Sequence, residues 1–464
     1  YAVTPFDGIM TQVGTDVTVG YEPGCINHKR LPLLDSSLLL AQGSEEHGFT
    51  IEYFNSADLT GESVWSEFYP ISELQWFGNL PTPVDTQQFS VRATACFLPR
   101  ESGEYTFGLL SAGQSRFLVD GQEIIDNWTH QTPGDAYFGT GSTEVCTAVE
   151  MQAGREYTLT LEFSSIAGSS LNAMHLGCFP PFPADALERA VRLAANSDVA
   201  VICAGLSGEW ESEGFDRPDM DLPGDQDTLI ASVAAVNKNT VVVLNTGSPI
   251  SMPWLDQVAA VVQSWYPGQE CGNAIADVLF GETAPAGKLT QTWPRRLEDN
   301  PAYINYPGEN GKVHYGEGLF VGYRYYEKKH ITPLFPFGFG LTYTTFEYGE
   351  LRLSAQEISP NDTLQVEVDI TNTGARAGKE IVQLYVRDIQ SRLQRPEKEL
   401  KAFTKVHLEP GERKTVTFEL ARDALFYYDD LARAWVAEPG EFEVQVGASS
   451  QDIRATGKFA LLSE

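Results

Sequence analysis

The chain has 464 residues, 42% of them hydrophobic and 11% aromatic, with a formal net charge of −31. At roughly 150 residues per domain, this length predicts about three globular domains with ample core. The acidity excludes nucleic acid and anionic membrane surfaces as partners, because both repel such a charge, and no run of eighteen apolar residues predicts a membrane span.

Residues 1–42 form the first part of an α/β unit, in which "TDVTVGYEPG" reads as a strand. The leading "YAVTPFDGIM" has neither a basic n-region nor an apolar h-region, so no signal peptide is expected. From 43 to 182 the texture is β. "FTIEYF", "QFSVRATACFL", "GEYTFGLLS", "SRFLVDG", "EVCTAVEM" and "EYTLTLEFSS" alternate between Gly, Pro and Asp turns, the rhythm of an antiparallel sandwich. Residues 183–300 return to α/β. The helix "ADALERAVRLAANSD" precedes the strand "VAVICAG", "DTLIASVAAVN" precedes "TVVVLNTG", and "VAAVVQ" precedes the helix "CGNAIADVLFG". Apolar strands alternating with helices predict a parallel sheet covered on both faces. A connecting segment (301–345) leads to a second sandwich (346–464) with "TLQVEVDITNTG", "KEIVQLYVRD", "KTVTFEL" and "EFEVQVGAS".

The six cysteines show no CxxC pair and no metal-ligand spacing. Cys203, inside an apolar strand, reads as a core thiol, and the scattered set leans towards a cytoplasmic protein. The sequons at Asn127 and Asn361 leave secretion open. No cofactor is expected. GxGxxG and GxxxxGK[ST] are missing, "DMDLPG" places Pro223 at the third ligand position of a calcium loop, and neither His175 nor His314 has HExxH spacing.

Ligands of parallel sheets gather where loops leave the carboxyl ends of the strands. Three such loops are "GLSGEWESEGFDR", "NTGSPISMPW" and "SWYPGQE", the last carrying Trp265 and Tyr266. The first opens a stretch, Gly208 to Gln226, with seven acidic residues in nineteen positions. Spacing alone leaves open whether this is a solvated loop or the home of a catalytic carboxylate. A single carboxylate is also insufficient for glycoside hydrolysis, which normally uses two.

"SWYPGQECGNAIADVLFGETAPAGKLTQTWP" and "EGLFVGYRYYEKKHITPLFPFGFGLTYTTFEY" closely resemble signatures of glycoside hydrolase family 3, the β-glucosidase and β-xylosidase family. The tail is similar to that family's fibronectin type III-like domain. The sandwich at 43–182, through "RFLVDGQEIIDNW", resembles the module named after anthrax protective antigen. The resemblance implies a retaining mechanism on β-glucosides or short gluco-oligosaccharides, with xylosides and xyloglucan oligosaccharides also within the family's range. It assigns the acid/base to the glutamate before Gly-aromatic-Asp-Arg, here Glu213, with Glu209 and Glu211 as rivals. Its pKa is expected to be raised by neighbouring carboxylates and by partial burial under the inserted module. Asp216 and Arg217 shape the loop.

The family's nucleophile lies on an N-terminal (β/α)8 barrel that this sequence lacks. Ser197-Asp198 is the only pair of comparable appearance, and its helix-to-strand position does not suit a nucleophile. The chain therefore reads as the C-terminal portion of a larger enzyme, needing the barrel domain as partner, with homo-oligomerisation open. A non-catalytic carbohydrate-binding or regulatory chain is the alternative. The inserted module reads either as a lid that favours short substrates, with Tyr137 or Phe138 stacking on the aglycone sugar, or as an independent carbohydrate-binding or purely structural sandwich.

Overall fold

The computed structural model describes residues 1–463. Its centre is a three-stranded parallel sheet in the order Ala200–Gly205, Thr240–Asn245, Ala260–Gln263. The helices Ala186–Ala195 and Gln226–Val236 lie on one face, where Ala194, Ile230 and Val233 close over Ile202, Ala204, Val242 and Leu244. Burial of these side chains is the main stabilising term for the unit.

The other face differs from expectation. Val201 and Cys203 alternate with the buried pair Ile202 and Ala204 and are exposed, so Cys203 is not a core thiol. Both helices flanking this strand in the sequence pack on the same side, which leaves its second face uncovered. The run Thr15–Gly24, expected to be a strand, pairs with no other strand and is a turn and bend followed by irregular chain.

Ahead of it, the helix Pro5–Val13 starts with a capping box. Thr4 Oγ1 accepts from the Asp7 backbone N–H, and the Asp7 carboxylate accepts from that of Thr4. This helix meets Cys271–Phe280 at a glycine contact. A Cβ on Gly272 would lie 1.9 Å from the Thr4 carbonyl oxygen, so only glycine allows the approach.

The inserted sandwich has a seven-stranded sheet packed on a four-stranded one, all antiparallel. Period-two alternation sends Phe49, Ile51, Val91, Phe107, Phe117, Leu159 and Leu161 into a single core. Leu39–Ala41 pairs with Ser90–Phe97, and Leu34 and Leu39 are in that core, so the first strand lies ahead of residue 43, the start expected from sequence. Four strands were not foreseen there: Trp65–Tyr69, Glu73–Trp76, Gln122–Asn127 and Asn172–Phe179.

The C-terminal sandwich is built from a four-stranded sheet around Leu364–Asn372 and a five-stranded sheet around Gly440–Gly447. Val366, Val368, Ile370, Val382, Leu384, Val444 and Val446 fill the space between them. No barrel is present among the described residues.

Candidate active site

The acidic loop leaves the carboxyl end of the strand Ala200–Gly205, and its three glutamates have different surroundings. Glu209 accepts at one oxygen from the Arg30 backbone N–H (3.1 Å) and at the other from Ser207 Oγ (3.2 Å), with His28 Nδ1 3.5 Å away. Glu211 accepts from the Gly247 N–H (2.7 Å), Ser248 Oγ and the Tyr266 hydroxyl. Burial pulls the Glu211 carboxyl up, but the three donors outweigh it and hold the group below the usual glutamate range. Burial and the Glu211 charge push the Tyr266 phenol up to about 12, so it remains a donor.

Glu213 is exposed and, among the described residues, has no side-chain hydrogen bond or ion pair. The burial expected for it under the inserted module is not found. Carboxylates that satisfy backbone and hydroxyl donors hold a loop's shape, and one with both oxygens free is available to a ligand. Of the three, only Glu213 is in the second condition.

The neighbours of Glu213 are fixed from below. Arg217 donates to the Asp221 carbonyl (2.9 Å) and to Ser248 Oγ (3.3 Å), and Asp216 accepts from the Tyr306 hydroxyl. Both therefore shape the loop. Trp265, with φ of 56°, is in the left-handed region just before Tyr266, a conformation uncommon for a bulky residue. Sequence reasoning placed Tyr266 near this edge and missed its bond to Glu211. The signal was the arrival of both loops at the same edge of one sheet.

The inserted module reaches the same place. Tyr137, Phe138 and Gly139 are all left-handed, with φ of 50°, 60° and 77°. Each of the two aromatic positions stores about 1–3 kcal/mol of backbone strain. The Tyr137 hydroxyl turns back to Glu73 Oε1 (3.3 Å), and burial with the Glu73 charge pushes its phenol up. Phe138 turns outwards and is 80% exposed. Its ring lies 3.7 Å from where a Cβ on Gly214 would be, directly beside Glu213.

One short segment ties this turn to the acidic loop. Lys29 Nζ and Arg30 Nη2 bind Asp135 (2.8 and 2.9 Å), and Lys29 also lies 5.0 Å from the centre of the Phe215 ring. The hydrogen bonds from Lys29 first, then from Arg30, hold the Asp135 carboxyl low. Trp210 Nε1 donates to the Asn27 carbonyl (2.6 Å) and Glu144 accepts from the Leu31 N–H (3.1 Å). Asn27–Leu31 thus touches both walls of the candidate site. Asp198, by contrast, is at the opposite end of the strand Ala200–Gly205, in the turn that enters it. Among the described residues no group of three or more His, Cys, Asp or Glu is placed to hold a metal ion.

The chain thus combines an α/β sheet, an acid-rich loop at the carboxyl edge of that sheet, one β-sandwich inserted ahead of it and another following it. The model for the glycosyl hydrolase family 3 C-terminal domain matches residues 1–343, and that for the fibronectin type III-like domain matches 380–450. The chain belongs to glycosyl hydrolase family 3 through this C-terminal domain. It is 42% identical to a β-glucosidase of Rhizobium radiobacter over 98% of its own length and 55% of the relative's. With a probable β-glucosidase I of Aspergillus terreus it shares 40% identity, covering 99% of itself and 57% of that protein. Among solved structures, the Kluyveromyces marxianus β-glucosidase in complex with glucose superposes with a TM-score of 0.91 at 37% identity, over 100% of this chain and 56% of that one. DesR, a β-glucosidase from Streptomyces venezuelae in complex with D-glucose, gives 0.66 at 30% identity, over 99% and 53%. The chain spans just over half the length of these relatives.

Proposed function

We propose that this chain is the C-terminal portion of a retaining, exo-acting β-glucosidase that removes terminal non-reducing β-D-glucosyl residues. Glu213 supplies the acid/base, and an aspartate on an N-terminal barrel supplies the nucleophile. The observation that carries this reading is the free carboxylate of Glu213 on the ligand edge of the sheet, beside two glutamates whose oxygens are already occupied.

In the first step the protonated Glu213 gives its proton to the glycosidic oxygen as the bond to the anomeric carbon breaks and the aspartate adds to that carbon. In the second, the Glu213 carboxylate takes a proton from water, whose oxygen displaces the aspartate and restores the configuration. Glu213 is solvated in this chain, so the exclusion of water that acid catalysis needs falls to the barrel side and the bound sugar. Phe138 faces the same gap and stacks on the aglycone sugar, while Tyr137 anchors the turn through Glu73.

The reading is tested in two ways. The pure 464-residue chain is expected to show no turnover of aryl β-glucosides, and measurable hydrolysis would overturn the division of the site. In a protein that also carries the barrel, Glu213→Ala is expected to lose activity on poor leaving groups and regain part of it with azide. The same pattern from Glu211→Ala, with Glu213→Ala unaffected, would move the assignment.

A further inference from the structure

A cavity of about 430 Å³ opens on the inserted sandwich and shares no lining residue with the acidic loop. It sits where both sheets of the sandwich end. Trp65–Tyr69 is the edge strand of the seven-stranded sheet, Glu73–Trp76 that of the four-stranded one, and residues 77–81 close the gap between them. The buried rings of Tyr53 and Trp76 line it together with Tyr69.

The polar groups around it form a directed set. Trp76 Nε1 donates to the Tyr53 hydroxyl (3.2 Å), which donates to Glu67 Oε1 (2.6 Å). The other Glu67 oxygen has only a 3.5 Å contact from Trp65 Nε1. Gln75 has no side-chain hydrogen bond among the described residues. Asn79 uses its carbonyl oxygen on the Phe77 N–H (3.1 Å) and leaves its amide NH₂ free. A carboxylate that accepts, two amides that donate, and aromatic rings beside them match the alternating hydroxyls and C–H faces of a pyranose. No cationic side chain lines the cavity, so phosphate and carboxylate ligands find no positive charge there to offset the repulsion of Glu67. The volume is towards the lower end of the ~300–1,000 Å³ common for small-molecule sites.

We propose that this cavity is a second carbohydrate-binding site, for a single neutral pyranoside, separate from the acid/base loop. Choosing β-glucosides among the probes rests on the function proposed above, but the site itself does not. Binding is read on the 464-residue chain without turnover, so failure of the hydrolase reading leaves it untouched.

The probes are methyl β-D-glucoside, methyl β-D-xyloside and methyl β-D-galactoside, followed by saturation-transfer NMR and by tryptophan fluorescence. At least one is expected to saturate in the millimolar range. Glu67→Gln with Asn79→Ala, which removes a charged acceptor and an amide, is expected to weaken it by about tenfold or more. Gln75→Ala, at an exposed position that folding tolerates, is expected to weaken it in the same direction. Phe138→Ala and Glu213→Gln leave it unchanged. Failure of all three sugars to saturate, or a response that survives the cavity variants, would overturn the proposal. So would a response abolished by Phe138→Ala, which would assign the sugar to the acidic loop.

Discussion

The two β-sandwiches share a construction principle and differ in how they are attached. The C-terminal one is held by groups withdrawn from water. Lys398 pairs with Glu327 (2.8 Å), Lys288 pairs with Glu380 (3.1 Å), and Gln383 Nε2 donates to the Gly338 carbonyl (3.1 Å), all with largely buried side chains. The inserted one reaches the acidic loop through the exposed ring of Phe138, in a strained turn, and through Lys29, whose partner Asp135 has a side chain 71% exposed. Buried ion pairs are costly to break and exposed ones contribute little. The contrast separates a brace from an adjustable wall, and each half of it can be tested.

The largest effect is expected in catalysis. In a barrel-containing protein, Glu213→Gln lowers kcat by about 10²–10⁴-fold on substrates with poor leaving groups. Its melting temperature stays unchanged, because this exposed side chain makes no hydrogen bond or ion pair among the described residues. The brace behaves in the opposite way. Glu327→Ala leaves Lys398 buried without its partner and costs about 3 kcal/mol, read by denaturant unfolding of the chain.

A third measurement uses pH. Arg352, Thr415 and Arg413 donate to Asp369 in the C-terminal sandwich and hold its carboxyl far below the usual range. Its folded pKa is depressed, so its contribution is complete above the unfolded value of about 4 and is lost as pH falls further. The gap in melting temperature between the wild-type chain and Asp369→Asn is therefore expected to be constant near neutrality and to shrink below that pH.

Only a small effect on stability is expected at the wall. Asp135→Ala costs less than about 1 kcal/mol. It frees the Phe138 turn, however, and is expected to raise KM for disaccharides while sparing kcat on aryl glucosides. A large stability loss at Asp135, or none at Glu327, would erase the distinction between the two attachments.

Much of this arrangement could be read from sequence where the signal is local. The helix and strand alternation from Ala186 to Phe280 is periodic, and the position of the acidic stretch at the carboxyl edge followed from it. Features set by distant partners could not be read. Val17 and Val19 have strand character, yet no neighbouring strand pairs with them. Cys203 is apolar in context and exposed in fact, because both flanking helices chose the other face. Glu399–Leu408 was hidden by the lysines at 401 and 405, which alternate with its apolar positions on a strand at the edge of its sheet. Spacing alone also offered no way to choose among Glu209, Glu211 and Glu213. The sorting lies in donors from Arg30, Gly247, Ser248 and Tyr266, which are far away in the chain.

Asn27–Leu31 bears on how chains of this family can be recombined. A graft that exchanged only the sandwich would keep Lys29 and Arg30 from one parent and receive the Asp135 turn from the other. The angle of Phe138 over Glu213 would then depend on an unmatched pair of charges. Moving the segment together with the module keeps the matched charges in the new host, and makes the overhang above the acidic loop a transferable part.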